Sequence, residues 1–300
     1  MSTGEAVGRG LPNPALWVWK LLKTRRGAQF CSLAGFFLGW QFLIPLLPTA
    51  LIPTPWEVLR FMWNELRLDT IGAYNVYQSF GLSIGRLAAG FLLALVVGVP
   101  IGLLMGASKV VENALHDFVV VGLAMPGLVW GLLLGMWMGL GSGPPIIAAA
   151  LAGVPFVVFN TLEGMNNVPA DLTEMAASYG VSRGRVIRHV ALPSLMPFFF
   201  ASLRYGLANG WKSLVLTEVF SSVDGAGWMI RYWEEASQEA GVFAYAAFFM
   251  LFALLLERVI FQRMAARVFR WRPAVLMDIP EVAVAIEEAQ KTEEKDRVGK

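Results

Sequence analysis

The stretch GLANGWKSLVLTE, residues 206 to 218, contains glycines, a lysine and a serine in an order close to that of a phosphate-binding loop. A P-loop has the pattern G-x-x-x-x-G-K-[ST], in which backbone N–H groups cradle phosphates. Here Trp211 separates Gly210 from Lys212, the surrounding run is apolar, and no strand pattern precedes it. The segment is therefore not predicted to bind nucleotide, and we assign no catalytic residue in it.

Other residue types that carry out chemistry are sparse. The chain has a single cysteine, Cys31, and two histidines, His116 and His189, which do not support an internal disulfide, a haem site or a metal cage. Glu234 and Glu235 are adjacent, so on a helix their carboxylates point apart. The sequence predicts neither a metal site nor an enzyme.

The composition is that of an integral membrane protein. Of 300 residues, 56% are hydrophobic and only 15% are charged, with a mean hydropathy of +0.58. Globular domains usually have about 45–50% apolar and about 25% charged residues. This composition predicts membrane lipid around the chain. The net charge of +2 is small and the basic residues are dispersed along the sequence, so we expect no nucleic-acid partner.

Six apolar runs are long enough to cross a membrane, for which about 20 residues are needed. They cover residues 29–47, 82–107, 118–140, 145–162, 196–220 and 242–261. Pro100, Pro126 and Pro155 lie within these runs, where prolines favour kinks. The predicted fold class is therefore an all-α, polytopic membrane helical bundle with six transmembrane helices.

Basic residues flank the predicted spans on one side. They precede the first span, lie between the fourth and fifth, and follow the sixth: Lys20, Lys23, Arg25, Arg26; Arg183, Arg185, Arg188; Arg263, Arg267, Arg270, Arg272. By the positive-inside rule these segments are cytoplasmic, which places both termini in the cytoplasm. The expected division is an N-terminal cytoplasmic segment at 1–28, a first span with an outer helix at 29–81, a core at 82–273 and a cytoplasmic tail at 274–300.

Two further patterns concern packing. Apolar and charged residues alternate at helical spacing after Pro55, which predicts an interfacial amphipathic helix on the outer face, capped by Thr54. Glycines recur every fourth residue at 98, 102 and 106 and again at 131, 135 and 139. Small residues at this spacing allow close helix packing, and a role in a substrate path is the alternative.

Residues 168–195, VPADLTEMAASYGVSRGRVIRHVALPSL, predict two short helices joined by a tight turn. Asp171 and Glu174 have the spacing of a capping box, Gly180 suits the left-handed residue that ends the first helix, and Pro193 suits the end of the second. Helices this short are marginal in water, so they must dock. Their own bundle and a cytosolic partner both remain possible supports.

The spacing within this segment resembles the EAA loop of ABC-importer permease subunits. That pattern is Glu-x-Ala, three residues, Gly, nine residues, an aliphatic residue, one residue and Leu-Pro. In this chain the pattern reads Glu174, Met175, Ala176, Gly180, Val190, Leu192 and Pro193. Met175 stands where Ala is usual and Val190 where Ile is usual, and both substitutions keep an apolar side chain.

The resemblance implies that the loop at 165–194 couples the chain to a separate ATPase subunit. Residues 172–182 would be the coupling helix that sits in a groove on that subunit. The docking residues that the resemblance implies are Glu174, Met175, Ala176, Ala177, Tyr179, Gly180, Val181 and Ser182.

The likeness extends from residue 52 to residue 273, through the stretches IPTPWEVL, SIGRLAAGF, PFVVFNTLEGMNNVPADLTEMAASYG and FRWRP. Over this range the chain is similar to permeases that import nitrate, sulfonates, taurine and related small molecules. It implies a type I importer fold in a bacterial inner membrane, with a second copy of the chain, two ATPase subunits and an extracytoplasmic substrate-binding protein as partners. ATP and Mg would bind in the ATPase, with no cofactor in this chain. A secondary transporter or channel is the alternative function, although we find no convincing internal repeat.

The fifth predicted span carries Arg204, Lys212 and Glu218, and Arg204 lies near the cytoplasmic end, where snorkelling accounts for it. Lys212 either reaches a partner on another helix or points into the central path. In the second case two copies of the chain would present two ammonium groups, favouring a small anion such as a sulfonate, nitrate or an organic acid. Glu218 either forms a structural ion pair or hydrogen bond, or contacts the substrate. We therefore expect Asn209, Lys212 and Glu218 as translocation-path residues.

Overall fold

The computed structural model describes residues 25–46, 52–70 and 72–268, and every regular element among them is a helix. The predicted all-α class is confirmed. The α-helices are α1 Arg25–Leu43, α2 Pro55–Arg67, α3 Val76–Ala107, α4 Lys109–Ala124, α5 Gly127–Met138, α6 Gly143–Asn166, α7 Ala170–Ser178, α8 Arg183–Val186, α9 Leu192–Ser221, α10 Ala226–Glu235, α11 Glu239–Leu255 and α12 Gln262–Val268. The predicted tail at 274–300 and most of the N-terminal segment lie outside the described residues.

Five continuous helical stretches are long and apolar enough to cross a membrane, and a bent pair supplies a sixth span if it crosses as one. That pair is α4 and α5, which meet at 96°. The run predicted as a span at 118–140 is therefore divided between two helices, and the kink expected at Pro126 is confirmed as a sharp break. Met125 before Pro126 has extended backbone angles, as residues that precede proline prefer, and Pro126 has no N–H to continue the helical ladder.

The fifth span is longer than the sequence predicts. A continuous helical stretch of 38 residues runs from Gly184 to Ser221, about 57 Å at about 1.5 Å per residue, and we call it the α9 rod. Pro193 does not end the preceding helix, contrary to expectation. The five residues Ile187–Ala191 instead form a wider π turn immediately before α9, in which Pro193 is the second residue. Such a turn lets the helix continue past a residue that lacks a backbone donor.

Glycines bring the spans into close contact. Gly98, Gly102 and Gly106 of α3 face α6, and a Cβ added at Gly102 would lie 2.6 Å from the Thr161 Cβ. In α5, residues 127, 131 and 135 face Ser213, Thr217 and Ser221 of α9 in the same way. The expected close packing is confirmed at these positions. At residue 139, by contrast, an added Cβ would meet no atom within 4 Å.

The predicted amphipathic helix is α2. It begins at Pro55 after a complete capping box between Thr54 and Glu57, as expected for its N-terminus. It packs on α11, where the Tyr245 hydroxyl donates a hydrogen bond to buried Glu65 at 3.3 Å. Burial raises the pKa of the Glu65 carboxyl above its usual value, which the hydrogen bond from Tyr245 partly offsets. The helix is thus fixed to the bundle by a polar contact.

Replacing Gly102 by Ala is expected to destabilise the chain by about 1–3 kcal/mol, the usual cost of overpacking a close contact. The new methyl group would lie 2.6 Å from the Thr161 Cβ and 2.8 Å from the Val158 carbonyl oxygen. Gly85→Ala in the same helix is the matched control, because nothing lies within 4 Å of its added Cβ. Thermal unfolding in detergent measures the difference, and equal Tm values for the two variants would contradict the contact between α3 and α6.

Candidate functional site

The α9 rod presents two different faces. Lys212 and Glu218 are six residues apart, which turns a helix by about 240°, so their side chains leave on different sides. Tyr205, Asn209, Lys212 and Leu216 lie on one face, which is exposed or partly exposed in this chain. Glu218 lies on the buried face. The structure thus brings Asn209 and Lys212 together and separates both from Glu218.

Lys212 makes no hydrogen bond or ion pair with any residue that the structure describes. The neighbouring Asn209 donates its side-chain amide to the Tyr205 carbonyl oxygen at 2.9 Å, so it is partly occupied within its own helix. The partner on another helix that was one interpretation of Lys212 is not found among the described residues of this chain. An exposed ammonium in mid-span must face water, a solute or another chain, because a lone charge in lipid is costly.

Lys212 borders a groove between α9 and α11 with a volume of about 550 Å³. The groove walls are mainly apolar and include Trp211 and Phe249. Glu257, the one acid on this lining, is paired with Arg204 through two hydrogen bonds, one of them from Nε at 3.1 Å. The position of Arg204 in the sequence favours snorkelling, and the structure shows this ion pair in its place. Lys212 therefore supplies the unpaired charge of the groove.

Glu218 belongs to a buried cluster of side chains around Arg86. We call it the Arg86 cluster, and its members are Ser83, Arg86, Ser142, Glu218, Ser222 and Asp224. The Glu218 side chain is 0% exposed and that of Arg86 is 5% exposed. The Arg86 Nη1 donates to the Glu218 carboxylate at 2.7 Å, and Ser83 Oγ and the Gly227 N–H donate to it at 2.6 and 2.9 Å. This geometry favours the structural alternative for Glu218 over contact with a solute.

Arg86 also holds the segment that follows α9. Its Nη1 donates to the Asp224 carbonyl oxygen at 3.0 Å, and its Nη2 donates to the Asp224 carboxylate and, at 2.7 Å, to Ser142 Oγ. Gly225 has a left-handed φ of 102°, and a Cβ there would lie 2.4 Å from a Glu218 oxygen. A glycine is required at this position because both its conformation and the available space exclude a side chain.

The sequence indicates that Arg86 needs a buried acidic partner, and this was missed, whereas the other members of the Arg86 cluster cannot be identified from the sequence. Arg86 lies within the second predicted span and Glu218 within the fifth, and each charge costs about 2.5–3.5 kcal/mol to insert alone. Opposite charges in two spans therefore indicate a pair. Arg86 is the single charged residue in the stretch SIGRLAAGF, so the sequence itself raises the question of which residue neutralises it.

The predicted coupling loop forms α7 and a tight turn. Gly180 has a left-handed φ of 65°, its N–H donates to the Ala177 carbonyl at 3.0 Å, and the Val181 N–H donates to the Ala176 carbonyl at 2.9 Å. These two bonds form a Schellman motif, which confirms the conformation predicted for Gly180. The predicted capping box is wrong, because α7 begins after Pro169 without a side-chain cap.

Apolar side chains on α7 are exposed. Tyr179, the residue directly after α7, is 81% exposed, and Leu172 and Met175 on the helix are about half exposed. The remaining implied docking residues are exposed or half-buried: Glu174, Ala176, Ala177, Gly180, Val181 and Ser182. Within the part of the chain that the structure describes, α7 makes little contact with other helices. A nine-residue helix with exposed apolar side chains and little contact with its own bundle has the form of a docking element.

Fold and site together define a multi-span helical membrane protein with an exposed loop helix at one end of the bundle and, among the described residues, an unpaired lysine within a span. Among the described residues no group of three or more His, Cys, Asp or Glu side chains is placed to hold a metal ion. The family model for the binding-protein-dependent transport system inner membrane component matches residues 98–270, and the chain belongs to this family. It is accordingly a multi-pass inner-membrane ABC importer permease.

Individual relatives are similar over most of their length. The taurine transport system permease protein of Escherichia coli (strain K12) is 28% identical over 80% of this chain and 88% of its own. A putative aliphatic sulfonates transport permease protein of Bacillus subtilis (strain 168) is 28% identical over 78% and 83%. The bicarbonate transport system permease protein of Synechocystis sp. (strain ATCC 27184 / PCC 6803 / Kazusa) is 26% identical over 75% and 82%.

Solved structures support the fold. An inward-facing structure of the MetNI methionine ABC transporter matches with a TM-score of 0.54 at 13% identity, covering 72% of this chain and 98% of the matched chain. A second crystal form matches with a TM-score of 0.55 at 14% identity, over 70% and 98%. The predicted type I importer permease fold is confirmed.

Replacing Glu218 by Ala is expected to cost about 3–5 kcal/mol, because it leaves the Arg86 guanidinium buried without its carboxylate. Glu235→Ala is the matched control: it breaks an exposed pair with Arg231 at 2.7 Å and is expected to cost less than about 1 kcal/mol. Denaturant unfolding of the purified chain measures both values.

A double variant tests the cause of that cost. Arg86→Met combined with Glu218→Leu removes both buried charges and is expected to be more stable than Glu218→Ala alone. If the double variant is no more stable than the single one, an unpaired charge does not explain the loss.

Proposed function

We propose that two copies of this chain form the solute path of an ATP-driven importer, with one ATPase subunit docked on each α7 and a substrate-binding protein on the opposite face. The single observation that carries the proposal is the exposed apolar face of α7, held in place by the turn at Gly180. A helix of this length needs a partner to remain folded. Family membership supports an ATPase as that partner.

The direction of the bundle follows from the same assignment. With α7 on an ATPase, the α7 end is cytoplasmic and the Arg86 cluster lies near the outer face. Both chain termini are then cytoplasmic, in agreement with the basic residues around the spans. ATP and Mg bind in the partner, and this chain contributes the path and the docking surface without catalytic residues.

The solute we propose is a small anion. The supporting observation is Lys212, which is exposed in mid-span without a partner among the described residues and lies on one face with Asn209. In a dimer two such ammonium groups would line the path, and a low-dielectric passage strengthens their attraction for an anion. The relatives named for taurine, aliphatic sulfonates and bicarbonate act on solutes that carry an anionic group, which agrees with this class.

Gly180→Val is expected to uncouple ATP hydrolysis from transport while the bundle still inserts, because a β-branched residue is strained at a φ of 65° and shifts α7. Gly184→Val is the matched control, since residue 184 has open space around it and no left-handed φ. ATP hydrolysis and ATP-dependent uptake are measured with the copurified complex in liposomes. A Gly180→Val chain that binds its ATPase and transports normally would contradict the assigned coupling turn.

Lys212→Met is expected to lower uptake of an anionic solute by about tenfold or more, since loss of one charge contact costs about 1.5–3 kcal/mol. Lys109→Met is the matched control, because Lys109 is 79% exposed and pairs with Glu112 at the start of α4. Uptake is measured together with membrane abundance and ATP hydrolysis. Normal uptake by a normally assembled Lys212→Met complex would exclude the anion contact.

Copurification distinguishes this function from a secondary transporter or channel. An affinity-tagged chain is expected to retain a soluble ATPase subunit after gentle solubilisation of the membrane, and a Tyr179→Asp chain is expected to lose it, because the charge disrupts the apolar face of α7. Val223→Asp, exposed beyond the other end of α9, serves as the control. A chain that transports without any ATPase would refute the proposal.

A further inference from the structure

The α9 rod connects the two ends of the bundle. Its helical stretch starts at Gly184, directly after the docking turn, and ends at Ser221, three residues beyond Glu218 of the Arg86 cluster. Backbone hydrogen bonds keep the length of a helix nearly fixed, so a displacement at one end is carried to the other. A movement of α7 that reaches residue 184 will therefore also displace Glu218.

Glu218 is fastened to the segment that follows the rod, residues 222–227. The Gly227 N–H donates directly to its carboxylate at 2.9 Å. Arg86 links the same carboxylate to Asp224, donating both to the Asp224 carbonyl oxygen at 3.0 Å and to its side chain. The Ser222 hydroxyl accepts a hydrogen bond from Arg86 Nη1 at 3.3 Å and donates one to the Asp224 carbonyl oxygen at 2.9 Å.

The same guanidinium also reaches the turn between α5 and α6, where its Nη2 donates to Ser142 Oγ at 2.7 Å. One planar side chain with several fixed N–H donors thus joins α3, the α5–α6 turn, α9 and residues 222–227. Lysine could neutralise Glu218 but could not reach Ser142 and Asp224 together, because its donors radiate from a single nitrogen. Neutralising Glu218 alone would not require the contacts to Asp224.

We propose that Arg86 is a positioning residue that makes residues 222–227 move with the α9 rod, so that the outer mouth of the solute path changes in step with the ATPase on α7. The inference rests on the proposed function, because it needs an ATPase on the docking loop. It predicts that a local probe in residues 222–227 responds to nucleotide bound at the opposite end of the bundle.

Val223 is the natural position for such a probe, since its side chain is 52% exposed within this segment. A cysteine is introduced there in a Cys31→Ser background, which removes the single native cysteine. The chain is copurified with its ATPase and placed in liposomes. The rate of labelling by a fluorescent maleimide is measured without nucleotide and with ATP, Mg²⁺ and vanadate.

The informative variant is Asp224→Ala, because it removes the loop carboxylate and leaves the buried pair between Arg86 and Glu218 intact. The ratio of the two labelling rates is expected to fall by at least about fivefold, the lower end of measured coupling between sites. ATP hydrolysis and copurification are expected to stay unchanged. Glu235→Ala, which breaks an exposed ion pair on α10, is expected to keep the native ratio.

Arg86→Lys provides the second variant. It keeps a positive charge beside Glu218 and is expected to lose the nucleotide dependence as Asp224→Ala does. If both variants keep the native ratio, the proposal is wrong. A fall in ATP hydrolysis and in folded protein that accompanies the altered labelling of Asp224→Ala would also overturn it, because the cluster would then act only on stability.

Failure of the two proposals can be told apart. An unmodified chain that does not retain an ATPase refutes the proposed function. If the chain retains an active ATPase but its residue 223 labels at the same rate in both nucleotide states, only the inference about Arg86 is refuted.

Discussion

The buried ion pair between Arg86 and Glu218 is the interaction on which the remainder of the bundle depends. Its distance of 2.7 Å and almost complete burial place two charges where neither could exist alone. Because one charge is on α3 and the other on α9, their pairing fixes how these spans meet. The glycine contacts between α3 and α6, and between α5 and α9, then complete the packing around this fixed point.

The pair also explains how one helix can serve two purposes. Glu218, Ser213, Thr217 and Ser221 of α9 face the bundle, where they are hydrogen-bonded or packed on glycine. The opposite face of this part of the helix does not take part in these contacts. Lys212 lies on that opposite face. A charged side chain can be carried there without disrupting the core because the helix is already held from its other side.

Much of this architecture is predictable from the sequence, and the failures have physical causes. Apolar length predicted five of the spans, and the chemistry of glycine predicted the left-handed turn at Gly180. Proline was harder to interpret: Pro126 breaks a span at 96° while Pro193 lies within a continuous helix behind a π turn. Both lack a backbone donor, and the packing around each, which a sequence does not display, decides the outcome.

The site was predictable to a lesser extent. The docking loop has a spacing that is specific in sequence, whereas the Arg86 cluster joins residues more than 130 positions apart. The charge of a residue within a span indicates that it has a partner, but it does not indicate which residue that partner is. Asp224 and Ser142 could not have been selected, because polar residues in exposed turns are common and do not require a buried partner.

The open apolar face of α7 has a consequence for the life of the chain in a cell. Tyr179 and Met175 are the kind of surface that chaperones and quality-control proteases recognise on incomplete assemblies. Under the proposed function, a chain synthesised in excess of its ATPase would present this face until it is removed. The helix proposed to transmit energy would then also limit how many unassembled copies persist, and subunit stoichiometry would follow from turnover as well as from synthesis.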